Sequence, residues 1–145
     1  MEYTAPPPTL SSLFRRATVL WLVICGLAVG NGIAREVLLE PLIGPELALP
    51  LSGLILSALV IAIAYFGMTE HSRHSLPVLL AIGGYWLLLT ILFELALGMV
   101  LLGQTWAQVQ LQYSPAAGNL WIFVLATIAA APWLSSRLRR AAERS

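Results

Sequence analysis

Four stretches of this chain run for the length of a bilayer-crossing helix with almost no charge. They cover about residues 17–37, 48–67, 76–103 and 119–134. A helix needs about 20 apolar residues to cross the hydrocarbon core. Inside lipid every backbone N–H and C=O must find a partner within the structure, which leaves helices and closed barrels. The runs here are continuous and do not alternate, so they predict helices. Composition agrees: 59% of the 145 residues are hydrophobic, 10% are charged, and the mean hydropathy is +0.84. Soluble domains carry about 25% charged residues. The expected fold is all-α, a four-helix transmembrane bundle. It forms a single integral membrane domain over residues 1–145, with 1–12 and 137–145 as flexible cytoplasmic tails.

The breaks between the runs carry turn chemistry. "EPLIGPELALP" holds Pro41, Gly44, Pro45 and Pro50, and either Pro45 or Pro50 is suited to open the second helix. Ser75 is placed to cap the third helix, with Pro77 in its first turn. Pro132 is expected to kink or end the fourth. Trp106, Val109 and Tyr113 fall at helical spacing in an uncharged polar segment. Trp106, Tyr113 and Trp121 are the expected interfacial aromatics.

The charges give an orientation. Every cation is Arg and every anion is Glu. Arg15, Arg16, Arg73, Arg137, Arg139, Arg140 and Arg144 fall on one side of the four spans, and Arg35 alone falls on the other. The positive-inside bias places both termini in the cytoplasm. Arg15 and Arg16 ahead of "ATVLWLVICGLAVG" resemble the start of a secretory signal. No clear cleavage site follows, and the segment reads as a retained first span.

"LLLTILFELALGMVLLG" contains one charge, Glu94. The third run is about 42 Å long at about 1.5 Å per residue. Glu94 then lies roughly 6 Å from the midplane of a core about 30 Å thick. A charge at that depth costs about 2.5–3.5 kcal/mol on insertion scales. The expected answer is Arg35, with Asn31 one turn deeper on the same face of the first helix. Thr90 shares a face with Glu94. These four residues, Asn31, Arg35, Thr90 and Glu94, form the expected intramembrane polar cluster. It has two readings. In the first, an Arg35–Glu94 pair fixes helix packing in a non-enzymatic membrane protein that packs with itself, a protein partner or lipid. In the second, Glu94 is the proton- or cation-responsive group of a small transporter or channel. Gly26, Gly30, Gly32, Gly83, Gly84 and the alanines of "ATIAAAP" offer close helix contacts, within the bundle or in a homo-oligomer.

Other chemistry is poorly represented. The single Cys25 excludes an internal disulfide or a Cys-x-x-Cys pair, and it reads as a small buried hydrophobe. Glu70, His71 and His74 read as a solvated turn, so no metal site is assigned. No nucleophile–base pair, phosphate loop or cofactor motif occurs, and no basic face with interleaved aromatics that nucleic acid requires. The chain is read as a non-enzyme without cofactor. The basic tail at 137–144 is an orientation signal that also suits anionic headgroups.

"GNGIAREVLLEPLIG", "YWLLLTILFELALG" and "TWAQVQLQY" followed by "GNLW" resemble a family of short bacterial four-span membrane proteins, over residues 26–132. The resemblance implies a multi-pass protein of the bacterial inner membrane. It draws attention to Asn31, Arg35, Trp86, Glu94 and Trp106, and it carries no activity. Small multidrug exporters differ in holding their carboxylate in the first span. Four-span thiol oxidoreductases need paired cysteines, and the Arg- and Asn-rich motif of the glutathione-linked membrane transferases is not recognisable here.

Overall fold

The structure, a computed structural model, describes residues 9–68, 74–113 and 120–144. Glu70, His71 and Arg73 of the expected turn, and residues 1–8 of the expected tail, lie outside the described residues. Helix α1 (Leu10–Ala34) runs into a π-helical turn, Arg35–Leu39, and then a short α2 (Glu40–Ile43). Next come α3 (Pro45–Gly67) and α4 (Leu76–Leu95), the latter continuing as a π-helical stretch, Ala96–Leu101. A short α5 (Trp106–Gln112) and α6 (Trp121–Ala142) complete the chain. Among the described residues, four helices are long and apolar enough to cross a membrane: Leu10–Ile43, Pro45–Gly67, Leu76–Leu101 and Trp121–Ala142. The fold is an all-α bundle.

The helix ends follow from local chemistry. Thr9 caps α1 by accepting from the Ser12 amide at 3.3 Å. Gly44 alone separates α2 from α3. Its φ of 80° and ψ of 157° fall in a region that essentially only glycine occupies. Pro45 then opens α3, and Pro50 lies inside it. Ser75 occupies the N-cap of α4, although its side chain makes no capping bond, and a proline sits in the first turn. After the π-helical stretch, Gly103 turns the chain at φ 61°, and the Gln104 amide donates back to the Gly98 carbonyl at 2.9 Å. Thr105 and Gln108 form a reciprocal capping box at the start of α5. Pro132 does not end α6. The helix continues through Ala142, so 137–142 and Leu10–Ser12, expected in tails, are helical.

Helix α6 packs against α3 and α4, and α1 lies against the same two helices. The core joins Ala17, Ile24, Val60, Ile82, Trp86, Ile128 and Ala131. The half-buried Cys25 packs against it, as a small hydrophobe does. Large aliphatics such as Leu22, Leu54, Leu80, Leu88 and Leu92 face outward, while Ser52, Ser57, Thr90, Ser135 and Ser136 are buried. This is the arrangement expected of a bundle whose solvent is lipid. Each of those buried hydroxyls donates to a carbonyl three or four residues back in its own helix, at 2.8 or 2.9 Å, so none is left unsatisfied.

The glycines divide into two groups. A Cβ on Gly83 would run into the Ala129 carbonyl oxygen, so α4 and α6 approach there at backbone distance. A Cβ on Gly84, Gly26, Gly30 or Gly32 meets no described atom within 4 Å. Close packing inside this chain therefore uses Gly83 and not the Gly26–Gly30 pair. Gly83→Ala is expected to cost about 1–3 kcal/mol through overpacking, while Gly84→Ala gains up to about 1 kcal/mol of helix propensity. Thermal unfolding of the two variants in the same lipid or detergent tests this. Equal midpoints would refute the close α4–α6 approach.

Candidate functional site

Helices α1 and α4 run in the same direction, and a ladder of contacts joins the first half of α1 to the second half of α4. Phe14 and Tyr85 meet edge to face at 5.3 Å, and the Thr18 hydroxyl lies 2.9 Å from the Tyr85 hydroxyl. The fully buried Trp86 donates its indole N–H to the Ala17 carbonyl at 2.8 Å. Trp21 donates its own to the Thr90 hydroxyl at 3.1 Å, and that hydroxyl donates to the Trp86 carbonyl at 2.8 Å. Trp21 also meets Phe93 edge to face at 6.2 Å. A buried indole N–H needs a partner, so these bonds fix both the rotation and the register of α1 on α4.

Beyond this ladder lies a cavity of about 590 Å³, lined by α1 and its π-helical turn, α3, α4 and α6. Asn31, Arg35 and Glu94 all line it, as do Phe93 and Trp121. The sequence placed three of its four cluster residues in one place. Thr90 is the exception: it is buried and committed to the two tryptophans.

The expected Arg35–Glu94 ion pair does not form. The Arg35 guanidinium contacts the Glu36 carboxylate at 2.9 Å and Glu40 at 3.5 Å. Asn31 donates its amide to the Ser52 carbonyl on α3 at 3.1 Å, instead of bridging to α4. The physical reason is proximity. Glu36 and Glu40 present two carboxylates within a turn and a half of Arg35. Drawing the guanidinium toward Glu94 would carry a charge into the apolar section and incur a desolvation cost. Glu94 is half-buried, and among the described residues it makes no hydrogen bond or ion pair.

Both helices that carry these groups leave α-geometry beside them. One π-helical turn starts at Arg35 and the other at Ala96, two residues after Glu94. Such turns recur at functional sites because the extra residue re-aims neighbouring side chains. The chain then folds back: Val109 on α5 is buried close to Gly98. Tyr113, at the end of α5, comes close to Trp121. Burial pushes the Tyr113 hydroxyl above the ordinary phenol range, the Glu94 charge adds to that, and the nearby Trp121 indole works the other way. The three aromatics expected at the interface thus part company. Trp106 stands 56% exposed, whereas Tyr113 and Trp121 are partly buried beside the cavity.

Sequence reasoning singled out neither Phe93 nor Ser52. Phe93 adjoins Glu94, but an aromatic in an apolar span gives no sign of lining a cavity. Ser52 takes part through its backbone carbonyl, which any residue could supply. Comparison with family models, curated proteins and solved structures returns no match, so the site is read from its geometry.

Arg35→Ala and Glu94→Gln are expected to be additive in stability, within about 0.3–0.5 kcal/mol. Arg35→Ala with Glu40→Gln should depart from additivity. Double-mutant cycles by unfolding in lipid check both, and coupling between Arg35 and Glu94 as large as that of Arg35 with Glu40 would contradict this geometry.

Proposed function

We propose that this multi-pass protein belongs to the short bacterial four-span proteins it resembles, resides in the inner membrane with both termini cytoplasmic, and acts as a small transporter or channel. In this reading Glu94 is its cation- or proton-responsive group. One observation carries the reading: Glu94 faces a cavity at membrane depth with no ion pair among the described residues. A carboxylate kept for packing would be expected to hold a partner that offsets its cost of about 2.5–3.5 kcal/mol. Among the described residues this one has none, and ionisable groups facing intramembrane cavities commonly mark ion or substrate paths. The orientation rests on the seven arginines on the side of the termini.

A second reading has its own support. Only 11% of the apolar window of Leu10–Ile43 is buried within the chain, against 33% for Pro45–Gly67, and a Cβ on Gly26 or Gly30 meets open space. That surface suits a non-enzymatic packing subunit that binds a second copy, another membrane protein or lipid.

Flux separates the two. Purified protein in vesicles with an internal pH dye and an imposed potential is expected to pass protons or cations. Glu94→Gln should reduce that flux to the level of protein-free vesicles without changing the thermal midpoint. No flux from the wild type, together with a stable oligomer or partner complex that Glu94→Gln leaves intact, would overturn the transport reading in favour of the packing one.

A further inference from the structure

We infer that the ligand of the Glu94 cavity is a lipophilic organic cation, an inference that rests on the cation-responsive reading above and names its substrate class. The size of the cavity is the first argument. At about 590 Å³ it falls in the range of sites for small organic molecules and far exceeds a single desolvated ion.

The donor set is the second. A bare inorganic cation such as Ca²⁺ needs six to eight oxygen ligands, at about 2.3–2.6 Å. Among the described residues, four that line the cavity have an oxygen-bearing side chain: Glu36, Glu94, Asn31 and Ser52. Glu36 is engaged by Arg35. The Ser52 hydroxyl and the Asn31 amide nitrogen are donors, to the Leu49 and Ser52 carbonyls, so each side chain keeps one oxygen to offer. With those two oxygens, the second Glu36 oxygen and the Glu94 carboxylate, the described side chains fall short of a six-oxygen shell. Glu94 is the one carboxylate among them outside an ion pair, which suits a cation whose own substituents replace its hydration shell.

The third argument is the surrounding surface. Phe93 and Trp121 both line the cavity, and Trp21 braces the Phe93 ring edge to face. Aromatic faces attract diffuse organic cations. Val29, Leu97 and Val124 supply aliphatic wall for the ligand's apolar groups.

Charge around the cavity points the same way. Arg35 is the sole cation at this end among the described residues, and it is matched by Glu36 and Glu40 within contact distance, with Glu46 in the first turn of α3. Adding Glu94 leaves this end net negative. It therefore favours cations and disfavours anions of the same shape.

The test uses two ions of matched shape and opposite charge, tetraphenylphosphonium and tetraphenylborate. Their binding to the full chain in nanodiscs is measured calorimetrically, with empty nanodiscs subtracted. Saturable binding of the phosphonium and none of the borate is expected. Glu94→Gln should weaken phosphonium binding by about tenfold or more, which corresponds to at least about 1.4 kcal/mol. Trp121→Leu, which keeps the carboxylate, should weaken it several-fold and serves if Glu94→Gln fails to fold. Equal binding of both ions, no saturable binding, or phosphonium binding indifferent to both substitutions would overturn the inference. If phosphonium fails to bind while Glu94-dependent proton or potassium flux persists, the ligand class is wrong and the transport reading stands. If flux is absent as well, both fall.

Discussion

Two indole N–H groups tie α1 to α4, and the arrangement beyond them depends on that tie. Trp86 reaches the Ala17 carbonyl and Trp21 reaches Thr90. In lipid no apolar driving force distinguishes a neighbouring helix from an acyl chain, so close packing and interhelical hydrogen bonds carry the specificity. Helix α1 buries little of itself, and the ladder holds it in one rotation. With that rotation fixed, Asn31 and Arg35 are carried to the cavity that Glu94 also lines. On α4 a π-helical stretch begins at Ala96, three residues past the last ladder contact at Phe93, whereas on the first helix the π-helical turn comes only at Arg35.

The two ends of the bundle are chemically unlike. The end bearing the chain termini collects arginines, among them Arg139, which donates to the Tyr65 carbonyl and stacks over the Tyr65 ring at 4.5 Å. The cavity end holds Arg35 within a group of glutamates. This polarity is what the proposed orientation rests on, since arginine-rich ends are commonly retained on the cytoplasmic side. At the cavity end it also leaves Glu94 without a neutralising cation. The same distribution thus underlies both the proposed orientation and the character of the cavity.

Much of this was legible in the sequence. The four spans were visible because lipid demands long continuous apolar runs, and Glu94 stood out as a lone charge within one. Asn31 and Arg35 could be matched to Glu94 by helical rise alone, which explains why all three line one cavity. The ion pair was not legible. Rise along an axis gives depth, while pairing depends on rotamers and on competitors, and Glu36 and Glu40 are nearer competitors for Arg35. Thr90 shared a face with Glu94, yet an indole from α1 claims its hydroxyl, a contact that depends on helix rotation. Glycine spacing was ambiguous for the same reason. Gly83 and Gly84 are adjacent in sequence, but about 100° of helical turn separates a backbone contact from open space. The π-helical turns left no recognisable mark in composition.

Glu94 looks into an open cavity and is not locked in the packed interior. The reactivity of a cysteine placed there, in a Cys25→Ala background and in lipid, toward a small water-soluble maleimide reads this exposure. Leu88→Cys, on an outward-facing apolar site of the same helix, is the control. The account predicts that Glu94→Cys reacts readily and Leu88→Cys hardly at all. A Glu94→Cys thiol as inert as the control, in a protein that remains folded, would contradict it.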